Sequence, residues 1–211
     1  MGRHKLMEDD ELLARVREIV VKEGVSVSSR RIAEHIGMSS AVLFQRFQSK
    51  ENLIFAAMVP PLPDLDALLG NGAQASDTRA WLEHLTCGLL DYFRLLVRVL
   101  APLMSHPSFH YSEIVKHHDG SPLETLMHAL HHAFEERSRT KELACDDVGA
   151  LILHLVTMTH SLAMFELMGV HGGKFDRSLV ARLTELTWRG VAPPSERVKP
   201  RPRASRRRRR A

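Results

Sequence analysis

Residues 26–51 read Ser26-Val-Ser-Ser-Arg-Arg-Ile-Ala-Glu-His-Ile-Gly-Met-Ser-Ser-Ala-Val-Leu-Phe-Gln-Arg-Phe-Gln-Ser-Lys-Glu51. Two short helical segments meet at Gly37, and a third helix starts at Ser49. Two helices that cross steeply through a tight turn need a small side chain where they touch and a corner residue that accepts positive φ; Ala33 and Gly37 meet these needs. Ile32 and Ile36 of the first segment, with Leu43 and Phe47 of the second, fall at helical spacing and close a small apolar core. Ser28 or Ser29 caps the first segment, Ser39 the second and Ser49 the third, so each helix has its own start signal.

Upstream, Leu12, Val16, Ile19 and Val20 make the apolar stripe of a helix that opens on Glu8, Asp9, Asp10 and Glu11 and stops before Gly24. Acidic residues in the first turn suit the helix dipole, and glycine suits a helix end. The predicted product is a three-helix module with a helix-turn-helix, whose face from Ser39 to Arg46 is free to enter a DNA major groove. The plainer alternative is an ordinary helical hairpin.

Gly24, Ile32-Ala33, Gly37-Met38-Ser39, Leu43-Phe44, Phe47 and Ser49-Lys50-Glu51 together resemble the amino-terminal signature of the tetracycline-repressor (TetR) family of transcription regulators. The resemblance spans roughly residues 10 to 58, and its dense part is Ile32 to Glu51. Two positions depart from the family pattern: Ala41 stands where glycine is usual, and Phe44 where tyrosine is usual. Phenylalanine packs against backbone or a thymine methyl but donates no hydrogen bond to a phosphate, so weaker backbone anchoring is expected.

Ser28 and Lys50, each at a helix start, are the expected phosphate contacts. Ser39, Ser40, Ala41, Val42, Phe44, Gln45 and Arg46 complete the expected DNA-binding set. Gln45 can pair in bidentate fashion with adenine, and Arg46 can take guanine or a phosphate. Arg30, Arg31 and Arg46 also fit a solvated helix face.

Lys and Arg number 9 against 8 Asp and Glu over residues 1–58, 11 against 16 over 59–195, and 9 against 1 over 196–211. The basic character of the chain therefore sits in its last segment, which ends on five arginines, Arg206 to Arg210, before Ala211. Proline, self-repulsion and missing apolar periodicity predict a disordered basic tail over 193–211. Such a tail strengthens non-specific DNA binding by counterion release, binds RNA or an acidic membrane surface, or is a solvated extension.

With 211 residues, 44% of them hydrophobic, the chain can bury a larger core than the small module supplies. The expected division is a DNA-binding domain at 1–58, a Pro/Gly-rich connector at 59–77 and a helical regulatory and dimerisation domain at 78–192, an all-α protein throughout. No segment is read as a membrane span and the first eleven residues are mostly polar, so a cytoplasmic protein with reduced Cys87 and Cys145 is expected. The family resemblance implies one helix running on from Ser49-Lys50-Glu51, but Pro60, Pro61 and Pro63 predict a short, kinked or split one.

Beyond the connector the periodicity predicts helices only. One runs from about Asp77 to Met104 and a short one from Ser108 to His118; a third starts at the capping box Ser121-Pro-Leu-Glu124. The last two cover Asp146 to Met168, with Leu151, Leu155, Met158, Leu162 and Phe165 as its stripe, and Asp176 to Arg189, with Leu179, Leu183 and Leu186. Ile152, Val156, Thr159, Ala163, Val180, Thr187 and Trp188 form second stripes on these two helices and are the expected dimer interface. The resemblance implies that both helices pair with their copies in a four-helix bundle, that the homodimer reads a palindromic double-stranded operator, and that a small-molecule effector releases it, most often from repression. Phe93, Phe134, His154, Met158 and Phe165 are candidate walls of an effector pocket, with Thr157, His160 and Glu166 as polar handles; each also fits a plain core or surface role.

Thirteen histidines are many for this length. His128 and His132 have i, i+4 spacing that can chelate a metal ion, with His131, His117 and His118 nearby, but no cysteine or carboxylate set completes the ligands, so neither metal nor cofactor is assigned. The competing function is a helical small-molecule carrier or histidine-based metal-binding protein without DNA function. Nucleophile elbow, phosphate loop and paired acid-base motif are all missing from the sequence, so no catalytic residue is assigned.

Overall fold

The structure is a computed structural model and describes residues 7–58, 62–70, 77–104, 121–170 and 172–195. Nine helices and no strands are found among the described residues. The first four are α1 (Asp9–Glu23), α2 (Ser29–Ile36), α3 (Ser40–Phe47) and α4 (Lys50–Ala57). Leu12, Val16, Ile19 and Val20 of α1 are buried against Ile32, Ala33 and Ile36 of α2, Leu43 of α3 and Leu53 to Met58 around α4. Gly37 takes the left-handed conformation at φ 78° and ψ 29°, where its N–H and that of Met38 both reach the Ala33 carbonyl. A Cβ there would be strained in that backbone conformation, which is why glycine holds the corner.

The connection to the rest of the chain is short. α4 ends at Ala57 after 8 residues, in keeping with the prolines that follow, and a five-residue helix α5 (Leu65–Leu69) comes next. α5 is pinned to the long α6 (Thr78–Met104): Trp81 Nε1 donates to the Leu69 carbonyl at 2.8 Å, and His84 Nε2 lies 2.8 Å from the Ala67 carbonyl oxygen. Gly88 lets the two helices touch, since a Cβ there would stand 2.6 Å from Leu68 Cδ1.

α6 passes through both cores. Its first five turns, from Trp81 to Val97, pack with α5, α7 (Pro122–Arg139), α8 (Val148–Leu167) and α9 (Arg177–Val191) in the larger core. Its end packs on α1 and sends Val99 and Leu103, 3% and 0% exposed, into the amino-terminal core. At 1.5 Å per residue its 27 residues span about 40 Å. α7 begins as expected from its capping box, with Ser121 Oγ accepting the Glu124 N–H and Pro122 at the first position. The helix expected over Ser108–His118, with His117 and His118, and the tail beyond Ser195 lie outside the described residues.

Two expectations about the last helices change. Residues 148–165 contain no Asp, Glu, Lys or Arg, so α8, with a mean hydropathy of 1.6, is long and apolar enough to cross a membrane by length and composition. One side of it nevertheless packs on α6 through Leu151, Ile152, Leu155, Thr159 and Ala163. The second stripes expected to face a partner subunit are instead turned inward: Ile152, Thr159, Ala163, Val180, Thr187 and Trp188 are buried within the chain and Val156 is half-buried. The reason lies in the threonines. Thr159, Thr184 and Thr187 return their hydroxyls to the carbonyls of Leu155, Val180 and Leu183 at 2.7, 3.0 and 3.2 Å, so they enter the core with their polar group satisfied. The faces left outside carry Leu153 at 60% exposure, Phe165, Met168 and, on α9, Leu186 at 64%.

Candidate nucleic-acid interface

α3 is anchored on one side only. Leu43 is its one buried residue, with Phe47 packed at the edge of the core, while Ser39, Ala41 and Gln45 are exposed and Ser40, Val42, Phe44 and Arg46 half-buried. Ser39 caps the helix by accepting the Val42 N–H, and Ser28 and Ser49 cap α2 and α4 by accepting the N–H groups of Arg31 and Asn52. Between the two possible caps of α2, the structure selects Ser28. α3 closes at Gln48, a non-glycine residue at φ 68°, whose N–H reaches the Phe44 carbonyl at 2.8 Å. The N-termini of α2 and α4, with Lys50 in the first turn of α4, offer N–H groups and positive charge to phosphates.

The described arginines of this region have partners inside the chain. Arg15 pairs with Glu11, Arg30 with Glu34 at 3.0 Å and Arg31 with Glu23 at 3.1 Å, while Arg17 donates to the Ala57 carbonyl at 2.7 Å. Burial pushes the Arg17 guanidinium below its ordinary range, and the hydrogen bond to Glu23 pushes that of Arg31 above it. Arg46 reaches back to α1, donating to the Met7 carbonyl at 2.9 Å and pairing with Asp9. The acidic first turn of α1 therefore anchors the recognition candidate from behind, a role its helix-dipole reading does not anticipate. Among the exposed candidates, Gln45 has no side-chain hydrogen bond to the other described residues, and its amide has the donor and acceptor that an adenine edge would need.

The structure places the expected effector-pocket residues in two settings, the core and the outer side of α8. Phe134 is fully buried edge-on to Trp81 at 4.9 Å, and Phe93 is buried with His160 standing perpendicular to it at 5.4 Å. His154 and Met158 line a shallow open groove on α8 with Thr157, and Phe165 is 40% exposed on the same outer side. Burial against this aromatic core pushes the His160 imidazole below its ordinary value. His154 Nε2 lies 3.2 Å from Thr187 Oγ1, joining α8 to α9. His128, His131 and His132 are exposed, His131 beside Glu135 at 3.2 Å, and no three His, Cys, Asp or Glu side chains converge on a metal position among the described residues.

Comparison with known proteins brings in the family. Residues 12–57 match the family described as bacterial regulatory proteins, tetR family. A comparison with curated proteins finds no match. Among solved structures, a protein of unknown function from Rhodococcus sp. RHA1 is similar at a TM-score of 0.66 and 19% identity, covering 91% of this chain and 100% of that one. The flavonoid-responsive regulator FrrA aligns at a TM-score of 0.62 and 18% identity, over 88% of this chain and 98% of its own. A bacterial regulatory protein of the tetR family from Rhodococcus RHA1 aligns at 0.61 and 18%, over 87% and 98%. These likenesses extend the shared fold over the whole helical body.

Proposed function

We propose that this chain, whose residues 12–57 match the tetR family of bacterial regulatory proteins, is a cytoplasmic, homodimeric repressor that holds a palindromic operator until a small molecule releases it. The observation that carries the DNA-binding part is α3, a capped helix whose one buried residue is Leu43 and which is open along Ser39, Ala41 and Gln45. In this reading Ser28, Ser39 and Lys50 fix the module on phosphates, while Ser40, Ala41, Val42, Phe44 and Gln45 face bases. Arg46 holds α3 on α1 and presents its remaining donors to the backbone of the duplex.

Homodimerisation is supported by the outer faces of α8 and α9. Leu153, Phe165, Met168 and Leu186 leave a broad apolar surface on two adjacent helices, and a second copy related by a two-fold axis covers it. The same axis sets two copies of α3 on one side of a duplex, about one helical turn or a multiple of it apart. Release by an effector requires a ligand with different affinity for the two spacings of the recognition helices.

Selection of bound fragments from a random duplex pool tests the whole reading, because it returns half-site, spacing and symmetry together. A two-fold symmetric consensus is expected, and no enrichment over input would remove the DNA function. Sedimentation of Leu153→Glu with Leu186→Glu is expected to give monomers that lose the paired-site preference.

A further inference from the structure

Beside the larger core lies a cleft of about 280 Å³ between α6, the carboxy-terminal half of α8 and the turn at Gly173 and Lys174. Its frame is an ion pair built into the fold. Arg94 donates from Nε and Nη2 to the two oxygens of Glu166 at 2.8 and 2.6 Å, from Nη1 to Asp91 at 2.7 Å, and from Nη2 to the Phe175 carbonyl at 3.1 Å. Glu166, with its side chain 7% exposed, also accepts the Phe175 N–H at 2.7 Å. The carboxylate of Glu166 thus accepts three N–H groups, and its charge is opposed by Arg94, which Asp91 shares, and by nearby Lys174.

The two other charged groups on the cleft, Arg98 and Lys174, are both exposed cations; neither is within ion-pair distance of a carboxylate among the described residues, although the charge of Lys174 also acts on Glu166. Val97, Ala163 and Leu167 supply an apolar wall between them. We propose that this cleft binds a small organic anion, a carboxylate on a short apolar body, with Arg98 and Lys174 holding the charged end and Val97, Ala163 and Leu167 the body. The proposal rests on the effector-regulated reading given above and names the class of effector. A volume at the lower end of ligand pockets fits a single ring or short chain rather than a nucleotide. Ala163 and Glu166 are on the inner side of α8, away from Leu153 and Phe165, so a second subunit seated on the outer face leaves the cleft open. Arg98 is next to Val99 and little more than a turn from Leu103, the two residues that α6 sends into the amino-terminal core. Occupancy therefore pulls on the helix that the DNA-binding module is built around.

The test uses the full chain, calorimetry with benzoate and hexanoate, and their neutral amides as matched controls. Both acids are expected to bind and both amides to fail, and Arg98→Gln and Lys174→Gln are each expected to weaken the acids about tenfold or more, as removal of a charge-assisted hydrogen bond would. In a second arm, the same acids are expected to lower affinity for the selected operator in the parent chain and to lose that effect in both variants. Equal binding of acids and amides, binding indifferent to both substitutions, or acid binding that leaves operator affinity unchanged would each overturn the proposal. Because calorimetry needs no DNA, a chain that selects an operator but ignores the acids refutes the cleft alone, whereas failure to select any duplex refutes the regulatory reading.

Discussion

Arg46 and Gln45 are neighbours on α3, and their surroundings separate their roles. Gln45 is exposed with no structural duty, so Gln45→Ala is expected to leave thermal unfolding unchanged while costing about 1–3 kcal/mol against the preferred base. Competition binding with operator variants at that base pair checks it. Arg46 instead ties α3 to Met7 and Asp9, so Arg46→Ala is expected to weaken binding to all sequences alike and to lower the unfolding midpoint. A relaxed base preference in Arg46→Ala would reverse that assignment. The buried threonines make a second point at this scale. Thr159 is 0% exposed and spends its hydroxyl on its own helix, so Thr159→Val is expected to change stability by less than about 1 kcal/mol, whereas Thr159→Asp buries a charge and abolishes folding. Denaturant titration reads both.

At the scale of elements, the end of α6 behaves as a wedge in the amino-terminal module. Leu103 is 0% exposed there, and Leu103→Ala is expected to cost about 2–5 kcal/mol and to weaken DNA binding, although it is far in sequence from α3. The Arg94–Glu166–Phe175 clasp gives a pH signature. Hydrogen bonding from Arg94 holds the Glu166 carboxyl below the ordinary glutamate range, and hydrogen bonding from Thr78 does the same for Glu142. Both carboxyls bind protons more weakly folded than unfolded, so their stabilisation is present above the unfolded value, near 4.5, and is lost as pH falls below it. Glu166→Gln is expected to flatten the acid limb of a stability-against-pH curve, and an unchanged limb would contradict the clasp. These elements also show what was legible in advance. α1 to α4 could be read because each has its own cap and one apolar side, and the spacing of Ile32, Ala33, Gly37 and Leu43 admits one arrangement. α8 and α9 could not be oriented, because both have two apolar stripes one residue apart; periodicity then gives a helix but not its rotation, and a hydropathy scale undervalues threonines that bond to their own backbone. The cleft at Arg94 was invisible because Asp91, Glu166 and Phe175 converge on one guanidinium from three separate segments.

For the whole molecule, charge is distributed against the expected task. The five arginines described in the amino-terminal module all have partners within the chain, and the surplus positive charge of the sequence lies in the basic run from Arg197 to Arg210. Removal of residues 197–211 is expected to reduce the slope of log affinity against log salt by about 0.9 for each phosphate that the run neutralises, with the preferred sequence unchanged. Titrations of both chains across a salt series measure this, and identical slopes would exclude the run from DNA binding. The path of α6 through both cores has a last implication, for anyone dissecting or recombining such proteins. The reading head is not a portable cassette: a peptide severed after Met58 would leave its core without Val99 and Leu103, and would be expected to lack a cooperative melt. A working chimera must carry the final turns of α6 as part of the head, and every graft onto a foreign body inherits a seam that runs through one continuous helix.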